Sequence, residues 1–121
     1  MKENQTLIYK RKLELELDCL RQAFLNELKR SDNSFMSALV SALEQAPPTE
    51  WLDMAANKLS PEHLPRYNRL VQLEAALCQI DIGQYGYCCD CEQEIDSSLL
   101  SEDAATQRCG GCMTKKVANH I

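Results

Sequence analysis

Two Cys-x-x-Cys pairs, Cys88/Cys91 and Cys109/Cys112, stand seventeen residues apart near the end of a 121-residue chain, and no other feature restricts its folding as strongly. The spacing lies inside the range of four-cysteine zinc sites. Each pair can close a turn whose two sulfurs point into one tetrahedron at metal–sulfur distances of about 2.3 Å. Gly110 and Gly111 within the second pair, and Tyr85-Gly86 ahead of the first, suit tight turns. Four thiolates fill a tetrahedral coordination sphere, so the expectation is one structural Zn2+, with no open position for substrate and no enzymatic role. In so short a segment the metal would supply most of the folding energy. A thiol redox centre would call for one Cys-x-x-Cys beside a βαβ pattern, which the chain lacks.

The seven cysteines are an odd number, and the N-terminal stretch Met1 to Asp18 carries charges throughout, without an apolar run suited to a signal peptide or membrane span. The expectation is a cytoplasmic protein with no membrane partner, in a compartment where clustered cysteines serve as ligands rather than disulfides. Cys89 falls between two ligands at the wrong spacing. Cys19 and Cys78 fall in helical stretches and are expected to be buried as small apolar residues. His63 and His120 stand apart from the cysteine spacing and receive no metal role.

From Leu7 to Ile82 the sequence has no glycine and is rich in Leu, Glu, Lys, Gln and Ala, all good helix formers. Leu13, Leu17, Leu20, Phe24 and Leu28 form one apolar stripe at helical spacing, and Phe35, Met36, Leu39, Val40 and Leu43 extend the pattern. Between them Ser31-Asp32-Asn33-Ser34 can kink the helix or cap a new one. Ala46-Pro47-Pro48 is a hard stop. Thr49 can cap a helix through about Leu59, and Ser60-Pro61-Glu62 is a second start signal, although Pro65 would break a turn beginning at Ser60. Leu70, Leu73, Leu77 and Ile80 follow the a/d spacing of a coiled coil. Gly83 reads as a glycine just past a helix end. The expected fold is mainly α: an antiparallel helical hairpin over residues 1–82 with its tip near 46–60, then a four-cysteine module over 83–121 with a short terminal helix. Fully helical arms, 7–45 and 49–82, would span roughly 60 and 50 Å. Leucines at such spacing are ordinarily core and imply nothing further.

The run Gly83-Gln84-Tyr85-Gly86-Tyr87-Cys88-Cys89-Asp90-Cys91, with Ile95 and the second Cys-x-x-Cys following a long helical segment, resembles the DksA/TraR family of bacterial transcription factors. Glu92 stands where that family has glycine, and Leu99-Leu100 where it has Arg-Leu. The resemblance implies a structural zinc finger and a helical hairpin that enters the secondary channel of RNA polymerase without reading promoter sequence. It gives the stretch Glu50-Trp51-Leu52-Asp53-Met54-Ala55 the place of the family's acidic D-x-x-D-x-A tip. Glu50, Trp51, Asp53 and Ala55 are therefore the expected partner-binding residues. Near the polymerase's catalytic Mg2+ such carboxylates would act in a low dielectric. Read without the resemblance, acidic residues in a first helical turn simply suit the helix dipole, and Trp51 serves equally as contact anchor or as packing. Family members also respond to the alarmone ppGpp. Here Gln72 and Met113 stand where its basic contacts would be, so the expectation is against that partner.

The formal net charge of −5 excludes a broadly basic nucleic-acid surface. Asp90, Glu92, Glu94, Asp96, Glu102 and Asp103 make the cysteine module acidic as well, so sequence-specific DNA binding is not expected. Four thiolates around one Zn2+ would add further negative charge, taking the chain to about −7. Lys10-Arg11-Lys12 and Lys115-Lys116 are basic clusters expected near the module, opposite an acidic tip, an arrangement that would orient the chain toward a charged partner. Three functions follow: a non-enzymatic regulator acting through RNA polymerase, a zinc-dependent protein adaptor that does not act on polymerase, or a transcript-cleavage cofactor in which Glu50 and Asp53 hold a second Mg2+.

Overall fold

A computed structural model describes residues 3–31 and 34–112. The described chain is mainly helical: α1 (Glu3–Lys29), α2 (Ser34–Gln45), α3 (Trp51–Ala55), α4 (Leu64–Asp81) and α5 (Ser97–Glu102), with single 3-10 turns at Pro48–Glu50 and Pro61–His63. Among the described residues there is no strand, only an isolated antiparallel bridge between Tyr87 and Glu94. The described residues end in helical backbone at 110–112, where the expected terminal helix would begin; Met113, Lys115, Lys116 and His120 lie outside the described residues.

The two long arms expected from the sequence are each interrupted. The first breaks after Lys29, where Ser31 N–H closes a tight turn on Leu28 O at 3.2 Å. Lys29 Nζ then lies 3.6 Å from Glu44 Oε2. A continuous helix would hold those backbones roughly 22 Å apart, so the chain must turn between α1 and α2. The helix boundary that the sequence allows in this region thus falls between Lys29 and Ser34. Helix α2 buries Met36, Leu39, Val40 and Leu43 on one face, but leaves Phe35 60% exposed on the next position round.

The second arm is two helical stretches, 48–55 and 61–81, each opened by a 3-10 turn. Pro48 opens a 3-10 turn, which feeds α3. Helix α3 stops at Ala55 rather than continuing to Leu59. Lys58 N–H bonds to Ala55 O at 3.1 Å, and Asn57 takes φ +64°. With Ala56 extended at φ −54°, ψ 131°, this is a type II turn, whose third position asparagine tolerates. Pro61 starts the next turn, and α4 begins at Leu64. Pro65 therefore falls in the first turn of α4, where a missing N–H leaves no helical bond unmade. At its other end α4 closes with Gly83 at φ +77°, Gly83 N–H on Ile80 O (3.2 Å) and Gln84 N–H on Gln79 O (2.8 Å). That is the paired bonding of a Schellman stop, and it bears out the reading of Gly83.

The chain divides into two compact units, one of residues 16–72 and one of 1–15 with 73–121. In the unit of residues 16–72 the core holds Leu17, Phe24, Leu25 and Leu28 from α1, the buried face of α2, Trp51 and Ala55 from α3, and Leu70. Glu16 holds Arg69 through two bonds of 2.7 and 3.0 Å, and Glu27 lies 3.6 Å from Arg66. Both ion pairs join α1 to α4 within this unit. His63, only 3% exposed, packs with its ring nitrogens 3.5 Å from the Glu27 and Glu62 carboxylates.

Candidate metal centre

The unit of residues 1–15 with 73–121 carries six of the seven cysteines, the two Cys-x-x-Cys pairs among them. Tyr85 opens it from a buried position, its hydroxyl donating to Ala104 O at 2.7 Å and its ring lying 6.0 Å from that of Tyr9. Burial, with Tyr9 and Asp103 nearby, pushes the Tyr85 phenol well above its ordinary range, so it stays a donor. Gly86 follows at φ +91°, a conformation that a side chain rarely adopts. Two backbone bonds, Ile95 N–H to Gly86 O (2.8 Å) and Cys88 N–H to Gln93 O (2.7 Å), then bracket the Tyr87–Glu94 bridge. Their ribbon closes the first knuckle. Inside it Glu92 N–H reaches Cys88 O at 2.9 Å and Cys91 N–H reaches Cys88 Sγ at 3.5 Å.

From the ribbon the chain makes one excursion and returns. Asp96 caps α5, its Oδ1 accepting from Ser98 N–H at 3.2 Å. Leu100 and Ala105 are buried under the excursion with Ile95. Asp103 then shapes the return, accepting from Ala105 N–H at 2.9 Å and from the Thr106 hydroxyl at 2.7 Å. Cys89 N–H bonds to Gln107 O at 2.9 Å, and Arg108 Nε lies 2.8 Å from Asp90 Oδ2, so the second knuckle is brought against the first.

The result is convergence. The Sγ atoms of Cys88, Cys91, Cys109 and Cys112 all lie within 4.8 Å of one another, the one such group of potential metal ligands among the described residues. Cys91 Sγ and Cys109 Sγ are 3.6 Å apart. Metal–sulfur bonds of 2.3 Å in a tetrahedron require an edge of about 3.8 Å, so the arrangement fits one metal ion. Cys88 is buried, Cys109 and Cys112 half-buried, Cys91 exposed. Desolvation raises the Cys88 thiol, but backbone N–H groups of Cys109, Cys91 and Asp90 outweigh it and bring the group down to about 6. Against the pull of the Gln93 backbone, sulfur neighbours Cys88 and Cys109 raise Cys91, while Cys109, Cys88 and Cys91 raise Cys112 strongly. Four thiols this close cannot all ionise unless a cation neutralises them, and an ion that does so releases protons.

Several residues depart from expectation. Gly110 and Gly111 do not take left-handed φ, and a Cβ on either would meet nothing within 4 Å, so the second knuckle does not require them. The demanding position is Glu92, at φ +64°. It occupies the left-handed region, and glycine relieves it at a cost in chain entropy. Glu92→Gly is expected to leave metal binding intact and to change stability by no more than about 1 kcal/mol, on the stabilising side, as read by thermal denaturation of the metal-loaded protein. Cys19 and Cys78 are exposed rather than buried, each lying beside its helix's apolar stripe instead of on it. Cys89 is exposed, its thiol 3.8 Å from Asp90 Oδ1, outside the cluster.

At the other candidate residues, Glu50 and Asp53 are exposed, while Trp51 (8% exposed) and Ala55 are buried. The Trp51 indole donates to Ala46 O at 3.4 Å and the Tyr67 hydroxyl to Leu52 O at 3.1 Å, so this short helix is pinned from both sides. Gln72 accepts from Arg69 Nη1 at 2.9 Å. Sequence reasoning missed the duties of Asp90, Asp96 and Asp103, reading them only as negative charge. Asp96 ahead of Ser97-Ser98-Leu99-Leu100 is a legible helix cap. Among the described residues no helix is long and apolar enough to cross a membrane. No family model, curated protein or solved structure matches the chain.

Proposed function

We propose that the chain is a non-enzymatic transcription regulator that binds RNA polymerase, with one structural Zn2+ held by Cys88, Cys91, Cys109 and Cys112. The observation that carries the metal is the convergence of four sulfurs within 4.8 Å. Zinc suits it because an all-thiolate tetrahedral site favours a borderline-soft ion without geometric demands of its own. In this reading the ion acts only on the fold, and the chain's residues make the contacts.

The polymerase as partner is supported by the resemblance of Gly83 to Cys91 and the second cysteine pair to DksA/TraR factors. A coiled-coil tip inserted into the secondary channel would present Glu50 and Asp53, both exposed, to the polymerase's active-site elements. Trp51 and Ala55, both buried, keep that tip in shape rather than touching the partner. The expected result is retention of the protein by bacterial RNA polymerase in a pull-down and a change in initiation in purified transcription. Asp53→Asn is expected to reduce that change about tenfold, equivalent to ~1.4 kcal/mol, with zinc content unchanged. Polymerase that fails to retain the zinc-loaded wild type contradicts the proposal, and an Asp53→Asn protein of full effect removes the tip's role.

One observation favours the adaptor reading: the breaks after Lys29 and Ala55 leave neither expected arm as a single helix. Zinc loading without polymerase retention selects it.

A further inference from the structure

Asp90 directly precedes Cys91, and Arg108 directly precedes Cys109. Their side chains meet across the two knuckles, Arg108 Nε to Asp90 Oδ2 at 2.8 Å. The cysteines that follow them bring their sulfurs to 3.6 Å, close to the edge of a tetrahedral thiolate site. Beside this clasp the Cys89 N–H bonds to Gln107 O at 2.9 Å, again from the first knuckle to the segment that leads into the second. From this geometry we infer that Asp90 and Arg108 are positioning residues for the metal: their ion pair fixes the Cys91–Cys109 edge before the ion is bound. The inference rests on the metal reading proposed above.

Two physical effects make the pair matter more at the site than in the fold. Both side chains are part-exposed, 33% for Arg108 and 48% for Asp90, and pairs of that kind contribute little to global stability. At the metal, however, two knuckles far apart in sequence would otherwise have to be brought together by ligation itself, so preset geometry lowers the ordering cost of binding. Arg108 also adds a cation immediately ahead of the ligand Cys109, in a site whose four sulfurs together carry excess negative charge once ligated. Asp90 holds that cation in place by its charge-assisted bond.

The test uses the full chain and Co2+ as the probe, with Zn2+ displacing it. Asp90→Asn and Arg108→Gln are each expected to weaken Co2+ binding by about 10–100-fold. The tetrahedral thiolate–cobalt spectrum and the helical circular dichroism should stay as in the wild type, since all four ligands and both helical units remain. The charge-exchanged protein, Asp90→Arg with Arg108→Asp, is expected to recover most of the lost affinity, a recovery that a loss of mere bulk would not give. Raising the salt concentration should narrow the gap between wild type and single variants. Single variants that bind Co2+ as tightly as the wild type overturn the clasp, and so does an exchanged pair no tighter than the single variants. A wild-type chain with no thiolate–cobalt absorption overturns the metal reading, and the clasp with it.

Discussion

Cys88→Ser is expected to abolish tight metal binding and to unfold the segment around the knuckles. Cys88 is the one buried cysteine of the four, 2% exposed, and the Cys91 N–H reaches its sulfur at 3.5 Å. A hydroxyl does not ionise to replace the thiolate, so the substitution removes a ligand and leaves that donor facing a poor acceptor. The segment has little else to hold it. Among the described residues its regular structure after Gly83 is a six-residue helix, one bridge and helical backbone at 110–112, over a small core of Tyr85, Ile95, Leu100 and Ala105. Structural zinc contributes roughly 10–16 kcal/mol of apparent binding energy in comparable modules, which no packing of this size replaces. The measurements are metal content after dialysis against a chelator and protease cutting between Gly83 and Cys112. Cys89→Ser, one position away but outside the cluster, should behave as wild type. Retention of one metal ion by Cys88→Ser would contradict the ligand assignment.

Phe24→Ala is expected to destabilise the unit of residues 16–72 by about 3–5 kcal/mol. The Phe24 ring is fully buried, 0% exposed, among the apolar faces of that unit. Truncation removes its transfer energy and leaves a cavity, because rigid helices collapse only in part. Urea unfolding followed by helical circular dichroism should show the loss, with a substantial fall in the midpoint. Metal content should be unchanged, since Phe24 lies in one compact unit and Cys88, Cys91, Cys109 and Cys112 in the other. A loss below about 1 kcal/mol would show that this core is loosely packed.

The site was more legible in the sequence than the path of the helices. Paired cysteines announce themselves because a tetrahedral ion fixes both ligand number and turn spacing, and Gly83 announces a helix end because left-handed φ favours a residue without a side chain. The apolar stripe of α1 and the face of α2 could likewise be read from spacing. Periodicity reports which side of a helix is buried, though not the direction that the next helix takes. Phe35 fits the period of α2 yet stands exposed, and nothing in its spacing distinguishes it from Met36. The break at Asn57 depends on asparagine accepting a left-handed position, one of several conformations open to it. Asp90 was legible as charge, while its partner Arg108, 18 residues on, is known only once the knuckles are brought together.

Whether four sulfurs close on one ion is decided most directly by zinc-edge X-ray absorption of the purified wild-type chain, combined with its metal content by native mass spectrometry. The expected result is one Zn2+ per chain with four sulfur neighbours at about 2.3 Å. A chain that carries no metal, or a bound ion whose neighbours include nitrogen or oxygen in place of sulfur, would contradict it.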